Sequence, residues 1–226
     1  MPIKAVIFDA YGTLFDVFSV GVLGEEIFPT KGTALAALWR DKQIEYTRLR
    51  TLSDQYRDFW NVTQDALEFA CDSLGLPLTN TARDRLMQQY AQLTAFDENA
   101  AALTRLKDAS LPLGILSNGT PDMLRSAVES AGLTRFFDHV LSIDPVRKFK
   151  TAPETYQLGP DAFGLPVSDI LFVSSNCWDA CGATWFGYQT LWLNRYAQPL
   201  ERLGVTPNRI GSALTDVAVY VAEING

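Results

Sequence analysis

The chain predicts an α/β protein: a doubly wound, Rossmann-like parallel sheet with a helical cap subdomain inserted into it. Three observations predict this. Short, near-continuously apolar runs recur along the chain, each bounded by turn chemistry, as strands covered on both faces require. From about residue 95 onward these runs alternate with helix-like segments. Between residues 16 and 94 the alternation stops, and only helical periodicity remains.

The first run, Ile3 to Phe8, ends at Asp9 and reads as the opening strand. Helical periodicity then runs over Ala34 to Leu49, Tyr56 to Leu74 and Thr81 to Leu93, with Gly75-Leu76-Pro77 separating the last two. A second strand, Leu111 to Leu116, ends at Ser117-Asn118-Gly119. The helix Asp122 to Ser130 follows it, with Gly132 as its C-cap. A third strand, Val140 to Ile143, leads through a loop to Lys150. The helix Pro153 to Phe163 starts on proline, where a missing N–H costs nothing. A fourth strand, Ile170 to Val173, ends at Ser174-Ser175-Asn176, and the helix Asp179 to Phe186 stops at Gly187. Thr190 to Leu193 supplies a fifth strand. The expected organisation is a core of residues 1–15 and 95–226 and a cap of residues 16–94, without repeats or linkers.

At 226 residues, the chain suits one domain with a sizeable insertion. Its 47% hydrophobic and 20% charged residues are ordinary for a globular protein. A net charge of −7 argues against nucleic acid or an anionic membrane as partner, while a small anionic substrate stays open because local charge can oppose net charge. Cys71, Cys177 and Cys181 have no neighbouring ligand set for a metal and read as small buried residues of a reducing compartment. The N-terminus runs straight into a strand without a signal-peptide pattern, and no apolar run is long enough to span a membrane. A cytoplasmic location is expected. The single histidine, His139, opens a strand and is given no role.

In open parallel sheets, ligands bind beyond the carboxyl ends of the strands. Here those ends, or the loops after them, carry Asp9; Ser117 and Asn118; Lys150; and Ser174, Asn176 and Asp179. Each alone is a common turn or cap residue. Together they converge on one edge of the sheet.

The segment Phe8-Asp9-Ala10-Tyr11-Gly12-Thr13-Leu14 resembles the first motif of the haloacid dehalogenase superfamily, Asp-x-x-x-Thr after a hydrophobic strand. The resemblance continues through Ser117-Asn118-Gly119, Lys150 and the run from Phe172 to Asp179. Asp-x-Tyr-Gly-Thr-Leu-Phe-Asp at residues 9–16 and Ser-Ser-Asn-x-Trp-Asp at residues 174–179 look like the L-2-haloacid dehalogenase branch. Trp39-Arg40 and Phe59-Trp60 extend the similarity into the cap.

Most of that superfamily transfers phosphoryl groups, using a second Asp two positions after the nucleophile as general acid. Here that position is Tyr11. An alkoxide leaves poorly without a proton donor, whereas a halide departs unprotonated. The phosphatases also resemble one another in an acidic pair after the fourth strand that helps hold Mg²⁺, an ion that wants hard anionic oxygens. Residues 174–176 are neutral, with Asp179 the first carboxylate. Both departures point to halide chemistry, with no metal and no cofactor. A Mg²⁺-dependent phosphatase of small metabolites and a non-catalytic binding protein stay as alternatives.

The resemblance implies that Asp9 attacks C2 of a 2-haloacid, forming an ester with inversion. Water activated by Asp179, and positioned by Ser174 and Asn176, then hydrolyses that ester. A carboxylate meeting an anionic substrate at ~4 Å is opposed by about 4 kcal/mol at an effective dielectric of 20, which the Lys150 ammonium would offset. Arg40 takes the family's halide-binding position, assisted by Asn118. Ser117 and nearby backbone N–H groups hold the substrate carboxylate. Tyr11, Phe59 and Trp178 wall a small apolar pocket, and Thr13 and Tyr156 orient the catalytic groups. Haloacetates, fluoroacetate among them, join the expected substrates, and a homodimer is the expected assembly. Two cap residues depart from the family pattern: Arg48 stands where an aromatic residue is expected, and Asp41, beside Arg40, is expected to face solvent. Ser117 lacks the flanking glycines of a nucleophile elbow, and the chain has neither G-x-G-x-x-G nor a P-loop.

Overall fold

The opening strand, β1 (Ala5–Phe8), is wholly buried because it runs through the middle of a six-stranded sheet. The fold is that of a computed structural model describing all 226 residues. β2 (Leu113–Ser117) flanks β1 on one side and β4 (Ile170–Ser174) on the other, both parallel to it. With β3 (His139–Ser142), β5 (Gln189–Leu193) and β6 (Arg209–Gly211), the order is β3-β2-β1-β4-β5-β6, parallel at every pairing. This order reverses its winding beside β1, and the crevice above such a switch point is where the fold binds ligands.

The five strands expected from the apolar runs are all present. β6 is not predicted: it is three residues long, exposed at the sheet edge, and carries too little apolar signal.

Between β1 and β2 the chain forms four helices, α1 (Val20–Ile27), α2 (Gly32–Leu52), α3 (Phe59–Ser73) and α4 (Asn80–Ala91). A fifth, α5 (Asn99–Asp108), leads into β2. The inward face of α3 shows why this stretch is helical. Phe59, Val62, Thr63, Ala66, Leu67, Ala70 and Cys71 are buried at spacings of three and four, forming one stripe. It packs on the Leu35, Ala36, Trp39, Gln43 and Thr47 face of α2. Asp58 starts α3 by accepting the Asn61 N–H at 2.9 Å, and Thr79 caps α4 through the Ala82 N–H at 3.2 Å.

Helix α1 is not predicted either, since Gly21 and Gly24 weaken it by ~1 kcal/mol each relative to alanine. Close docking on α2 holds it instead. A Cβ at Gly32 would strike the Glu25 N–H and the Gly21 carbonyl and lie 2.8 Å from the Glu25 Cα. Gly32→Ala is therefore expected to lower stability by ~1–3 kcal/mol, read as a lower denaturant midpoint at an unchanged m-value.

The remaining helices are α6 (Pro121–Ser130), α7 (Pro153–Phe163), α8 (Cys177–Phe186) and α9 (Thr215–Asn225). α9 runs beside α5 and ends at Asn225, whose carboxamide bonds both the N–H and the C=O of Ile3 at 2.8 Å. No helix is long and apolar enough to cross a membrane.

Candidate active site

Asp9 follows β1 directly, with its N–H donating to the Val173 carbonyl at 2.9 Å, so β1 and β4 fix its height in the sheet. Its carboxylate is nearly fully buried, which is costly unless each oxygen finds donors. Oδ2 accepts from Thr13 Oγ1 at 2.9 Å, from Asn176 Nδ2 at 2.8 Å, and more distantly from Ser174 Oγ at 3.5 Å. Oδ1 accepts from Lys150 Nζ at 3.0 Å. Thr13 Oγ1 itself accepts the Ser175 N–H at 2.8 Å, which fixes its proton toward Asp9. The turn between Asp9 and Thr13 needs Gly12, whose φ of 93° favours glycine, and an added Cβ there would lie 3.7 Å from the Asn176 amide.

Lys150 Nζ also donates to Asp179 Oδ2 at 2.9 Å, so one ammonium bridges the two carboxylates. Burial alone would depress its pKa, but the charges of Asp179 and Asp9 outweigh it and hold the ammonium above its ordinary value. Asp179 is fully buried in the first turn of α8. Burial pushes its carboxyl above the usual carboxylate range against the pull of Lys150, making it a stronger base than an exposed aspartate. Tyr156 of α7 donates its hydroxyl to Asp179 Oδ1 at 2.7 Å. Burial first, then the Asp179 charge, raises that phenol far up, so it stays a neutral donor.

Arg40 reaches from α2 to this cluster. Its guanidinium donates to the Tyr11 carbonyl and to Asn176 Oδ1, both at 3.2 Å. It also donates to Gln43 Oε1 at 2.7 Å. Gln43 is buried, donating to Thr63 Oγ1 at 2.6 Å and accepting from the Tyr90 hydroxyl at 3.0 Å. These three polar residues position Arg40 and are not singled out by the sequence. The one signal there is the i,i+3 spacing of Arg40 and Gln43 on a helix. Arg195 is also missed. It follows β5 and donates to the Thr13 carbonyl at 3.0 Å, bracing the Asp9 loop.

The apolar wall is formed by Tyr11 and Phe59, with ring centroids 5.5 Å apart, and by Tyr90, stacked on Tyr11 at 5.6 Å. The Tyr11 hydroxyl has no hydrogen-bond partner, and burial first, then Tyr90, raises its pKa far up. Asn118 accepts the Lys150 N–H at 3.0 Å, and Ser117 Oγ accepts the Gly119 N–H at 3.2 Å at the top of β2. Trp178 is placed differently from its expected position inside the pocket. It is half-exposed at the seam between α2 and α8, with the Arg48 guanidinium 5.1 Å from its ring centroid. There it lines a surface cleft of about 590 Å³ with Arg40 and Asn176, because the first turn of α8 directs Asp179, not Trp178, inward. Asp41 is exposed.

Residues 3–187 match the family of haloacid dehalogenase-like hydrolases. The (S)-2-haloacid dehalogenase of Pseudomonas sp. (strain YL) is 48% identical over 206 residues, covering 91% of this chain and 89% of that protein. A solved L-2-haloacid dehalogenase is 55% identical, with a TM-score of 0.97 over 98% of this chain and all of that one. The L-2-haloacid dehalogenase of Xanthobacter autotrophicus, solved with chloropropionic acid covalently bound, is 38% identical, with a TM-score of 0.92 over 97% of this chain and 98% of that one. The Asp9 constellation thus sits in a chain that belongs to the haloacid dehalogenase-like hydrolases, in their L-2-haloacid dehalogenase branch.

Proposed function

We propose that this hydrolase of carbon–halide bonds converts small L-2-haloalkanoic acids to D-2-hydroxyalkanoic acids through an ester on Asp9, accepting haloacetates and fluoroacetate as well. The observation that carries the reading is the asymmetric support of the Asp9 carboxylate. Oδ2 takes the side-chain donors of Thr13 and Asn176, while Oδ1 meets only Lys150. With one donor, Oδ1 keeps a lone pair free, whereas Oδ2 is taken by Thr13 and Asn176, so Oδ1 attacks C2 opposite the halogen and the halide leaves toward Arg40. In the ester, Oδ2 is the carbonyl oxygen. Thr13 and Asn176 then stabilise the negative charge it gains when water adds to the Asp9 Cγ. Asp179 accepts the proton of that water. The Cγ–Oδ1 bond breaks, and the hydroxyacid leaves with the former Oδ1 as its hydroxyl oxygen, the proton returning to it.

Residues 16–94 act in this reading as a cap that supplies Arg40 and Phe59 to a core formed by residues 1–15 and 95–226. Tyr11 and Phe59 confine C2 and its short alkyl group and exclude water from the first step. Ser117, at the end of β2, holds the substrate carboxylate with nearby backbone N–H groups, and Asn118 beside it assists Arg40 at the halide. The proposal includes a homodimer, for which Leu49, Leu52 and Phe69 on α2 and α3 supply exposed apolar surface.

The phosphatase alternative fits the residues less well. A divalent cation shared by Asp9 and Asp179 would compete with the Lys150 ammonium, which already lies 3.0 and 2.9 Å from the two carboxylates. Tyr11, a phenol with its pKa raised by burial, is a weak proton donor for a leaving alkoxide.

The test is halide release from each enantiomer of 2-chloropropionate with EDTA present, beside a phosphate monoester with Mg²⁺. Release from the L enantiomer alone, with D-lactate as product, is the expected result. In a single turnover in heavy-oxygen water the label enters Asp9 and not the product. Label in the lactate of the first turnover, or turnover of the phosphate ester alone, refutes the reading.

A further inference from the structure

Arg48 is an unpaired cation close to the site. It is exposed on α2 and forms neither an ion pair nor a side-chain hydrogen bond; its guanidinium lies 5.1 Å from the centroid of the Trp178 ring. It also borders two of the clefts that reach residues of the site from outside. One, of about 590 Å³, is lined by Arg40, Asn176 and Trp178 together with Asp41, Glu45 and Glu201. The other, of about 340 Å³, is lined by Thr51, Lys150 and Thr151. The reacting groups themselves are sealed, with Asp9 6%, Lys150 2% and Asp179 0% exposed.

An anion approaching from the first cleft meets three carboxylates, on a chain whose net charge is −7. Arg40 is committed to Tyr11, Asn176 and Gln43. Arg48 alone offers an unpaired guanidinium there, held over the entrance by the indole face. A cation–π contact engages the guanidinium's charge and leaves its N–H donors free for a carboxylate.

We propose that Arg48 is the residue that captures the substrate carboxylate at the mouth of the site, with Trp178 as the platform that holds its guanidinium in place. The inference rests on the haloacid reading above and adds a positioning residue to it. Arg48 sets how much anion gathers at the entrance, and the bond-making step does not depend on it. It also gives a physical role to a position that departs from the family pattern. In place of an aromatic residue the chain carries a cation, and Trp178 supplies the ring.

The test compares Arg48→Met, which keeps an apolar stem over the indole, with Arg48→Lys, which keeps the charge. At low salt, Arg48→Met is expected to raise the KM for L-2-chloropropionate roughly five- to tenfold with kcat within about twofold, and Arg48→Lys to recover most of the loss. The gap closes toward 1 M salt, where the screening length is about 3 Å. Glu201→Gln lowers KM, the opposite sign. Equal loss in the Met and Lys variants, a fall in kcat in place of a rise in KM, or no salt dependence overturns the proposal.

A second measurement needs no turnover. Iodide and acrylamide quenching of Trp178, isolated by difference against Trp178→Phe, is compared with and without Arg48→Met. Capture predicts that iodide quenching falls at least about twofold while quenching by neutral acrylamide does not fall. An unchanged ratio overturns capture at Arg48. A wild-type protein silent on every haloacid removes the haloacid reading instead, and the quenching ratio still decides whether Arg48 gathers anions.

Discussion

Asp9→Asn is expected to abolish halide release, lowering kcat by about four to six orders of magnitude, while the fold survives. A carboxamide has no anionic oxygen to displace a halide, and no other buried carboxylate shares the Thr13 and Asn176 donors. Two buried carboxylates now share one ammonium, and removing one charge leaves Lys150 paired with Asp179 alone. The cost is one donor–donor contact, between the new amide and Lys150, with the Thr13 and Asn176 bonds kept on the other oxygen. Halide assays beside circular dichroism and a thermal melt check this. Wild-type turnover in a folded variant would remove Asp9 as the nucleophile.

Lys150→Met should have the largest effect on stability, about 3–5 kcal/mol, because it strands Asp9 and Asp179 as buried carboxylates without a counter-charge. The pH dependence reports the cause. The folded-state pKa of Lys150 is raised, so its contribution is complete below the unfolded lysine pKa and disappears only as alkaline pH passes the folded value. In the variant, repulsion and burial raise a folded carboxyl pKa above its unfolded value. The folded state then binds the extra proton, and stability increases as pH falls. Urea midpoints between about pH 8 and pH 5 should rise on acidification in Lys150→Met more than in the wild type. A variant as stable as wild type at neutral pH would show that the bridge is dispensable.

Parallel strands buried on both faces announce themselves as apolar runs, which is why Ile3–Phe8 and Ile170–Val173 locate the sheet and the carboxylates that follow it. The helical insert is legible for the same reason in α3, where burial recurs at helical spacing. What escapes is structure held by tertiary contact. α1 depends on Gly32 meeting its backbone, and α9 carries Val217, Val219 and Val221, β-branched residues with low helix propensity. At the site, the groups nearest Asp9 follow from the motifs. The Gln43–Thr63–Tyr90 support of Arg40 does not, because three polar residues on three helices have no common sequence period. The position of Trp178 escapes too, since a sequence does not say which way a helix's first turn faces.

The carboxamide of Asn225 that clasps Ile3 has a consequence for how the molecule is made. The central strand and Asp9 leave the ribosome well before β4, Asp179 and Asn225, the segments that flank or clasp them in the fold. The helices between β1 and β2 make local contacts and can assemble during synthesis, while β1 waits with both edges open until its neighbours exist. A ribosome stalled before β2 would therefore hold folded helices beside an unprotected apolar strand, the state a chaperone or a protease reads first.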